Sequence, residues 1–353
     1  MFRLETRPAP SRVLTLLSPV IALAITVVIG VALFVLLGKD PVAGLQMFFV
    51  EPLKSSYALS ELSLKATPLV LIALGLAVCF RANLWNIGAE GQFILGAVFA
   101  GGVAMQATPE TGRWILWAVL GAGMLGGMVW AAVVALLRDR FNASEILVSL
   151  MLVYVAEMLL SYLVYGPWKD PNGYNFPQTI TFLEATRVPR LVEGLRMNIG
   201  MVLALVAVAG FTVFLFRTYA GFQLQVGGLA PAAARYAGFS SRRALWTGLL
   251  LSGGMAGLAG ALDVAGPQGQ LTPYVPLGYG FAAIIVAFVG RLHPVGIVLA
   301  AVLMSMFYIG GEMAQSRLGL PKSITGVFQG LLLFALLACD TFIHQRLRWV
   351  RAP

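Results

Sequence analysis

The stretch FRANLWNIGAEGQF, residues 80–93, decides how the hydrophobic part of the chain is divided. Apolar runs flank it on both sides, ATPLVLIALGLAVC before it and ILGAVFAGGVAM after it. Five polar side chains interrupt what would otherwise be one stretch much longer than a bilayer-spanning helix: Arg81, Asn83, Asn86, Glu90 and Gln92. A cation, an anion and three amides at this point predict either a turn that starts a new helix or a place where a ligand passes.

The composition is that of a membrane protein. The chain is 59% hydrophobic and 11% charged, with a mean hydropathy of +0.85, whereas a soluble domain is about half apolar and a quarter charged. The apolar residues form blocks of roughly 15 to 25 residues, the length that a spanning helix needs. The blocks do not alternate in polarity as strands of a membrane barrel do. We therefore predict an all-α polytopic membrane protein.

Ten candidate spans follow from these blocks: 15–37, 66–80, 87–107, 114–137, 143–165, 197–217, 244–266, 278–290, 295–311 and 324–343. Several are shorter than about 17 residues, so we expect them to be tilted, broken or shielded by neighbours. Each turn on one side carries at least one arginine, including the tight turns at Arg81 and Arg291. By the positive-inside rule this side is cytoplasmic, and both termini lie there.

The whole chain, 1–353, is interpreted as a single transmembrane domain. Its segments outside the bilayer are a cytoplasmic N-terminus (1–14), an external loop (166–196), a cytoplasmic loop (218–243) and a cytoplasmic tail (344–353). Within the cytoplasmic loop, Pro231 and Gly238 suit the start and the end of a short helix. The net charge of +9 is explained by this topology, so no nucleic-acid partner is predicted.

Motifs of bond-making chemistry are missing from the sequence. It contains no GxxxxGK[ST] for ATP hydrolysis, no GxSxG and no HExxH. The two cysteines and two histidines are far apart and predict neither a metal site nor a catalytic set. A conduit through the membrane is favoured over an enzyme.

Acidic residues inside apolar blocks are candidates for function because burying them is costly. Glu145 and Asp340 lie near predicted cytoplasmic ends, whereas Glu157 and Asp263 lie deeper and suit either a contact between helices or a pathway. Glu90 falls in or near the first turn of the third span, and Asn83 or Asn86 can cap that helix. Gly123 with Gly127, and Gly253 with Gly257, predict close helix packing.

Three stretches resemble the branched-chain amino acid/simple-sugar permease family of ATP-binding-cassette (ABC) importers. They are NLWNIGAEGQ (83–92), GGLAPAAARYAGFSSRRALWTGLLLSGGMAGLAGA (227–261) and GYGFAAIIVAFVGRLHPVGIVLAAVLMSMFYIGG (278–311). The longer stretch from Glu51 to Gln92 is most similar to the nucleoside-permease branch. The resemblance extends over roughly 40–340, and the three motifs occur in the family's order.

The resemblance implies a permease subunit in the bacterial plasma (inner) membrane, surrounded by lipid. Expected partners are an ATP-binding subunit, a second related permease subunit that makes a heterodimer, and an extracytoplasmic substrate-binding lipoprotein. No cofactor is expected on this chain, because ATP and Mg²⁺ would bind the partner ATPase. The expected substrate is a nucleoside; a simple sugar such as ribose is the alternative within the family.

The stretch LAPAAARYAGFS matches the family's cytoplasmic coupling segment. The resemblance assigns coupling to the ATPase to Pro231, Ala234, Arg235, Tyr236 and Gly238. A short helix outside the bilayer can seat in a groove of a partner and transmit its movement. The alternative is an interfacial helix that lies on anionic lipid.

Candidate pathway residues are amide, hydroxyl, carboxylate and aromatic side chains near the first motif and in the fifth span: Asn83, Asn86, Glu90, Gln92, Asn142, Ser149 and Tyr154. Such groups suit a flat base and sugar hydroxyls, but they also suit contacts between helices. Two hypotheses from other classes remain open. One is an ion-coupled transporter that uses Glu90, Glu157 or Asp263 as proton carriers; the other is a lipid-modifying membrane enzyme.

Overall fold

Thirteen helices and one two-stranded ribbon make up the part of the chain that a computed structural model describes, residues 2–6 and 12–349. The helices are α1 (Arg12–Leu36), α2 (Pro41–Phe49), α3 (Ser56–Arg81), α4 (Ala89–Ala104), α5 (Ile115–Phe141), α6 (Glu145–Tyr165), α7 (Ile199–Arg217), α8 (Tyr219–Leu229), α9 (Pro231–Tyr236), α10 (Ser241–Asp263), α11 (Tyr279–Val289), α12 (Pro294–Leu318) and α13 (Ser323–His344). The strands are β1 (Phe2–Thr6) and β2 (Gln345–Trp349).

All ten predicted spans correspond to helices, and the polytopic helical fold is confirmed. Among the described residues, eight helices are long and apolar enough to cross a membrane: α1, α3, α5, α6, α7, α10, α12 and α13. The other two spans are the shorter apolar helices α4 and α11, of 16 and 11 residues. The second span is longer than predicted, because α3 begins at Ser56 and includes the polar residues Glu61 and Lys65.

Two helices and a pair of strands were not predicted. Helix α2 begins at Pro41 behind Asp40, whose side chain accepts a hydrogen bond from the Val42 amide. Helix α8 occupies the first half of the loop 218–243, which is predicted to be cytoplasmic. Strands β1 and β2 pair antiparallel, with Phe2 opposite Trp349, so the start of α1 and the end of α13 lie at the same end of the molecule. This agrees with an even number of spans.

Parts of two predicted segments cannot be compared with the structure. The predicted cytoplasmic N-terminus (1–14) and tail (344–353) include residues 1, 7–11 and 350–353, which lie outside the described residues.

The described chain forms two compact units. One contains the residues up to Leu59 and those from Met304 onward, and the other contains Ser60–Leu303. In the first unit, four phenylalanines from different helices form the core. The Phe48 ring lies 4.7 Å from Phe328 and 6.2 Å from Phe307, and Phe34 lies 5.7 Å from Phe328. Edge and tilted contacts of this kind stabilise a core beyond simple burial.

In the second unit, α4, α5 and α10 pack with their backbones in contact. A Cβ atom on Gly257 would lie 2.2 Å from the carbonyl oxygen of Gly123, and a Cβ on Gly127 would lie 2.1 Å from that of Gly253. Helix α4 joins the same contact, since a Cβ on Gly96 would lie 2.3 Å from the Gly257 Cα. The predicted packing role of these glycine pairs is confirmed. Dispersion contacts over so short a separation can hold helices together in lipid, where apolar burial supplies no driving force.

We expect Gly257→Ala to lower the free energy of unfolding by about 1–3 kcal/mol, because the added methyl group forces α5 and α10 apart. The matched control is Gly210→Ala in α7, where no atom lies within 4 Å of the new Cβ. The free energy of unfolding of the control should rise by about 0.5–1 kcal/mol, because alanine is a better helix former than glycine. Thermal unfolding midpoints of the purified chain in nanodiscs measure both. Equal unfolding midpoints for the two variants would show that the packing of α5 against α10 does not depend on this backbone contact.

Candidate functional site

Segment 80–93, the stretch FRANLWNIGAEGQF, lies along the full length of α11. At one end, the rings of Phe80 and Trp85 lie 5.0 and 6.2 Å from the ring of Phe288, near the C-terminus of α11. At the other end, Phe93 makes an edge contact with Tyr279, the first residue of α11, at 5.9 Å. The segment therefore runs antiparallel to α11 and leads from its last turn to its first.

The carboxylate of Glu90 holds the N-terminus of α11. Its Oε1 accepts a hydrogen bond from the Gly278 amide at 2.9 Å, and its Oε2 accepts one from the Gly280 amide. The side chain is 1% exposed. Because both oxygens accept from backbone N–H groups, the geometry suits the ionised form. Glu90 thus satisfies amides at the start of a different helix from its own.

The backbones of α4 and α11 touch where both helices begin. A Cβ atom on Gly280 would lie 2.2 Å from the Glu90 nitrogen, so only glycine fits there. From this point α4 runs toward the predicted external side, where Gly101 meets Leu271, and α11 runs toward Arg81. At 1.5 Å per residue the helices are about 24 and 16 Å long, so neither crosses a bilayer core of about 30 Å alone. They form two short helices whose N-termini adjoin.

Asn86 and Gln92 form a reciprocal amide pair beside this junction. Asn86 Nδ2 donates to Gln92 Oε1 at 2.9 Å, and Gln92 Nε2 donates to Asn86 Oδ1 at 3.1 Å. Asn86 also donates to Ser252 Oγ of α10 at 3.0 Å and accepts from the Gly88 amide. Both amides are fully buried. The network connects segment 80–93 to α10 and leaves neither amide free to face a ligand in this conformation.

Ser149 holds the same segment to α6. Its Oγ accepts from the Ile87 amide at 3.2 Å and donates to the Ile146 carbonyl oxygen. The side chain is fully buried. The backbone of Gly88 lies against Ser149, where a Cβ on the glycine would be 2.6 Å from the Ser149 carbonyl oxygen. Of the seven predicted pathway residues, the structure therefore brings four together: Asn86, Glu90, Gln92 and Ser149.

The other three predicted pathway residues lie elsewhere. Asn83 is exposed with a φ of 56°, and it ends α3 in the left-handed conformation that asparagine tolerates. Asn142 ends α5 in the same way, with a φ of 51°. Tyr154 is 56% exposed on α6. The expectation that Asn83 or Asn86 caps α4 is wrong, because Gly88 occupies that position without a side-chain cap.

Arg81 contacts three other parts of the chain, whereas in the sequence it only marks a predicted cytoplasmic turn. Its Nε donates to the Leu292 carbonyl oxygen at 3.0 Å, and its Nη1 donates to Gln225 Oε1 of α8 at 2.9 Å. Its guanidinium carbon lies 5.1 Å from the centre of the Phe216 ring, within the range of a cation–π contact. An arginine at a helix end looks like an ordinary topology signal, so nothing in the sequence distinguishes this one.

The short helix predicted between Pro231 and Gly238 is present. Helix α9 begins at Pro231, and Gly238 follows its C-terminus with a φ of 80°. Ala234 faces inward and is buried, whereas Tyr236 is 98% exposed and Arg235 is exposed. A cavity of about 200 Å³ lies behind α9, against α8 and the start of α10. Helix α9 therefore presents a projecting aromatic and a cation to the surroundings.

The remaining acids have local partners or peripheral positions. Asp263 is buried at the end of α10, where it accepts a hydrogen bond from Gln268. Glu145 forms an ion pair with Arg138 at 3.3 Å, near the predicted cytoplasmic ends of α5 and α6. Glu157 is half-buried on α6. Among the residues that the structure describes, no group of three or more His, Cys, Asp or Glu side chains could hold a metal ion.

The predicted external loop, 166–196, is joined by backbone hydrogen bonds to residues 266–274, which follow α10. The Thr179 amide donates to the Leu271 carbonyl oxygen at 3.0 Å, and the Phe182 amide donates to that of Gly269 at 2.8 Å. Arg187, Arg190 and Arg196 line a small cavity of about 90 Å³ beside this connection. The external surface is thus built from both segments as one unit and carries arginines.

Comparison with known proteins gives a consistent result. The family model described as "Branched-chain amino acid transport system / permease component" matches residues 58–337. A glucose ABC transporter permease of Haloferax volcanii is 33% identical, over 93% of this chain and 89% of its own. Two nucleoside ABC transporter permeases of Lactococcus lactis subsp. cremoris are also similar. One is 27% identical, and the match covers 90% of this chain and 89% of the relative. The other is 25% identical, and the match covers 70% of this chain and 81% of the relative.

We expect Glu90→Gln to lower the free energy of unfolding by about 1.5–3 kcal/mol, because the new amide nitrogen would face a backbone N–H donor in place of an acceptor. Glu157→Gln is the control; Glu157 makes no hydrogen bond with the described residues, so its unfolding midpoint should shift little. Transport measured on the same variants separates the two interpretations of Glu90. Full stability with lost transport in Glu90→Gln would contradict the helix-holding role.

Substitution of two asparagines in one segment should affect stability to very different extents. Asn86→Ala leaves Gln92 and Ser252 without their buried partner, and we expect a loss of about 1–3 kcal/mol in unfolding free energy. Asn83→Gly keeps the left-handed conformation and should change stability by only a few tenths of a kcal/mol. Thermal unfolding in nanodiscs measures both. Similar losses in the two variants would show that the amide pair is not what holds this segment.

Proposed function

Since this chain belongs to the family of permease components of branched-chain amino acid transport systems, we propose that it is the membrane-spanning subunit of an ABC importer for neutral solutes that carry a sugar ring, nucleosides first among them. It is a multi-pass membrane protein, and the membrane we propose is the bacterial plasma membrane. The chain forms the wall of the pathway and performs no bond chemistry.

The observation that carries this proposal is α9. A helix of six residues that projects from the cytoplasmic loop, with Tyr236 almost fully exposed, has little to contribute to the fold of the chain itself. Exposed aromatic and arginine side chains are the residues that anchor protein interfaces. We propose that α9 seats in a groove of an ATPase subunit through Tyr236 and Arg235, with Pro231 and Gly238 fixing its two ends.

The ATPase is proposed as a separate chain. The sequence has no P-loop, so the energy for transport has to come from a partner that binds ATP and Mg²⁺. Opening and closing of that partner would move α9 as a rigid element. No cofactor is proposed for the permease chain itself.

A second permease and a binding protein complete the proposed assembly. Two different nucleoside permeases of one organism resemble this chain, which supports a pathway between two related but non-identical permeases. On the external side, segments 166–196 and 266–274 form one joined surface. We propose that an extracytoplasmic lipoprotein docks there and delivers the substrate.

The substrate class rests on chemistry that is common to the named relatives. Nucleosides and glucose are both neutral and both present several sugar hydroxyls. The relatives named for nucleosides and the N-terminal motif support nucleosides. The glucose permease, at 33% identity, favours a free sugar as the second candidate.

An ion-coupled mechanism has less support. Glu90 would have to release its hold on the N-terminus of α11 to carry a proton, and Asp263 is engaged with Gln268. Uptake that collapses when the proton gradient is dissipated, while ATP remains, would favour it over ATP-driven import.

The test is purification of the tagged chain with its partners from native membranes, followed by uptake in proteoliposomes. We expect co-purification of an ATPase and a second permease, and ATP-dependent uptake of labelled guanosine or adenosine in the presence of the binding protein. Uptake of labelled glucose or ribose, in place of the nucleosides, would favour the second candidate, a free sugar. Exclusive uptake of leucine or valine would contradict both substrate proposals, and isolation without an ATPase would contradict the importer itself.

Replacement of residues 234–238 (ARYAG) by GSGSG should abolish ATP-driven uptake while the protein stays in the membrane, because a flexible linker cannot transmit movement. The matched control replaces residues 108–112 (TPETG), a mostly exposed turn on the predicted external side, by the same linker, and it should retain uptake. The measurement is uptake normalised to the amount of protein in the membrane. Unchanged uptake in the first variant would favour an interfacial helix that only lies on lipid.

A further inference from the structure

Helix α11 is held at both ends by the same segment of chain. Glu90 binds its N-terminus through the amides of Gly278 and Gly280. Arg81 binds just beyond its C-terminus through the Leu292 carbonyl oxygen. An anion at the start and a cation at the end match the direction of the helix dipole, which is a stabilising arrangement.

The turn that follows α11 needs outside support. Arg291 and Leu292 have φ values of 57° and 52°, in the left-handed region that residues with side chains disfavour. Two such residues in succession are retained only where surrounding contacts stabilise them. The Arg81 Nε hydrogen bond to the Leu292 carbonyl oxygen is such a contact.

Gln225 connects this turn to the coupling loop. Its Nε2 donates to the Leu215 carbonyl oxygen at 2.7 Å and to that of Gly221 at 3.3 Å, which turns its Oε1 toward Arg81. Gln225 lies in α8, which ends at Leu229, and α9 starts two residues later. The backbone of α8 also touches the end of α3, since a Cβ on Gly228 would lie 2.2 Å from the Arg81 carbonyl oxygen.

We propose that Gln225 and Arg81 are positioning residues that transmit movement of the coupling loop to α11, and through Glu90 to the start of α4 inside the membrane. This inference rests on the proposed function, because the loop moves only if an ATPase binds α9. A short helix bound at both ends moves as one body. A displacement of α8 therefore reaches the junction of the two short helices, about 16 Å away along α11, without bending the long spans.

The first test needs only the full chain in nanodiscs. Hydrogen–deuterium exchange of the amides of residues 290–293 should become about tenfold faster in Gln225→Leu, the change expected when one supporting hydrogen bond is lost. The matched control is Gln223→Leu on the same helix, because the Gln223 side chain makes no hydrogen bond with the described residues; exchange at residues 290–293 should stay within about twofold of wild type. If Gln225→Leu does not fold, Gln225→Asn shortens the amide and also breaks the contact with Arg81.

The second test uses the assembled transporter and measures substrate taken up per ATP hydrolysed. In Gln225→Leu we expect this ratio to fall about tenfold while ATP hydrolysis stays within about twofold of wild type. Arg81→Lys keeps the positive charge but lacks the planar guanidinium that reaches Leu292 and Gln225 together, so it should restore part of what Arg81→Leu loses. A role in folding alone would change protein yield without changing the ratio.

The outcomes distinguish this inference from the proposed function. Equal exchange at residues 290–293 in Gln225→Leu and Gln223→Leu, or an unchanged uptake per ATP in Gln225→Leu, would overturn the transmission role and leave the importer intact. A wild-type assembly without ATP-driven uptake would overturn both the proposed function and transmission. The exchange measurement would then still decide whether Gln225 supports the turn.

Discussion

The structure depends on one carboxylate placed between two helix N-termini. Helices α4 and α11 begin at the same point, with backbones so close that Gly280 can carry no side chain. Each N-terminus has an effective charge of about +0.5, so two of them side by side in a medium of low dielectric would repel each other. An ionised Glu90 offsets both, and its two oxygens satisfy the amides of Gly278 and Gly280.

The neighbouring contacts keep this junction in place. The amide pair of Asn86 and Gln92 connects it to α10, and Ser149 connects it to α6. Behind it, the contacts of Gly96, Gly123 and Gly257 bring α4, α5 and α10 within backbone distance. Polar groups buried in a bilayer cannot form hydrogen bonds with water, so each needs a partner within the protein. A network in which every group has such a partner therefore fixes one arrangement of the helices. The same requirement explains why Asn86, Glu90 and Gln92 face protein in this conformation.

Much of the fold was predictable, because the thickness of the bilayer sets the length of the apolar segments and the positive-inside rule sets where arginines lie. The ten spans, α9 between Pro231 and Gly238, and the packing of the glycine pairs followed from local patterns. Helix α8 was missed because YAGFQLQVGGL has three glycines and no strong helical period. The candidate site was predicted only in part. Glu90 was expected to act on its own helix, whereas it acts on α11, which lies 188 residues further along the chain.

By itself, the sequence determined that the chain is a polytopic helical membrane protein, which turns carry the basic residues, and where the short helix α9 begins and ends. These features depend on composition and on contacts between residues near in sequence. Only the tertiary structure decided that Glu90 and Arg81 hold opposite ends of α11, that Asn86 pairs with Gln92 and Ser252, and that Gln225 meets Arg81. Such roles depend on which distant backbone amide or carbonyl lies within hydrogen-bond distance, and that is fixed only when the helices pack.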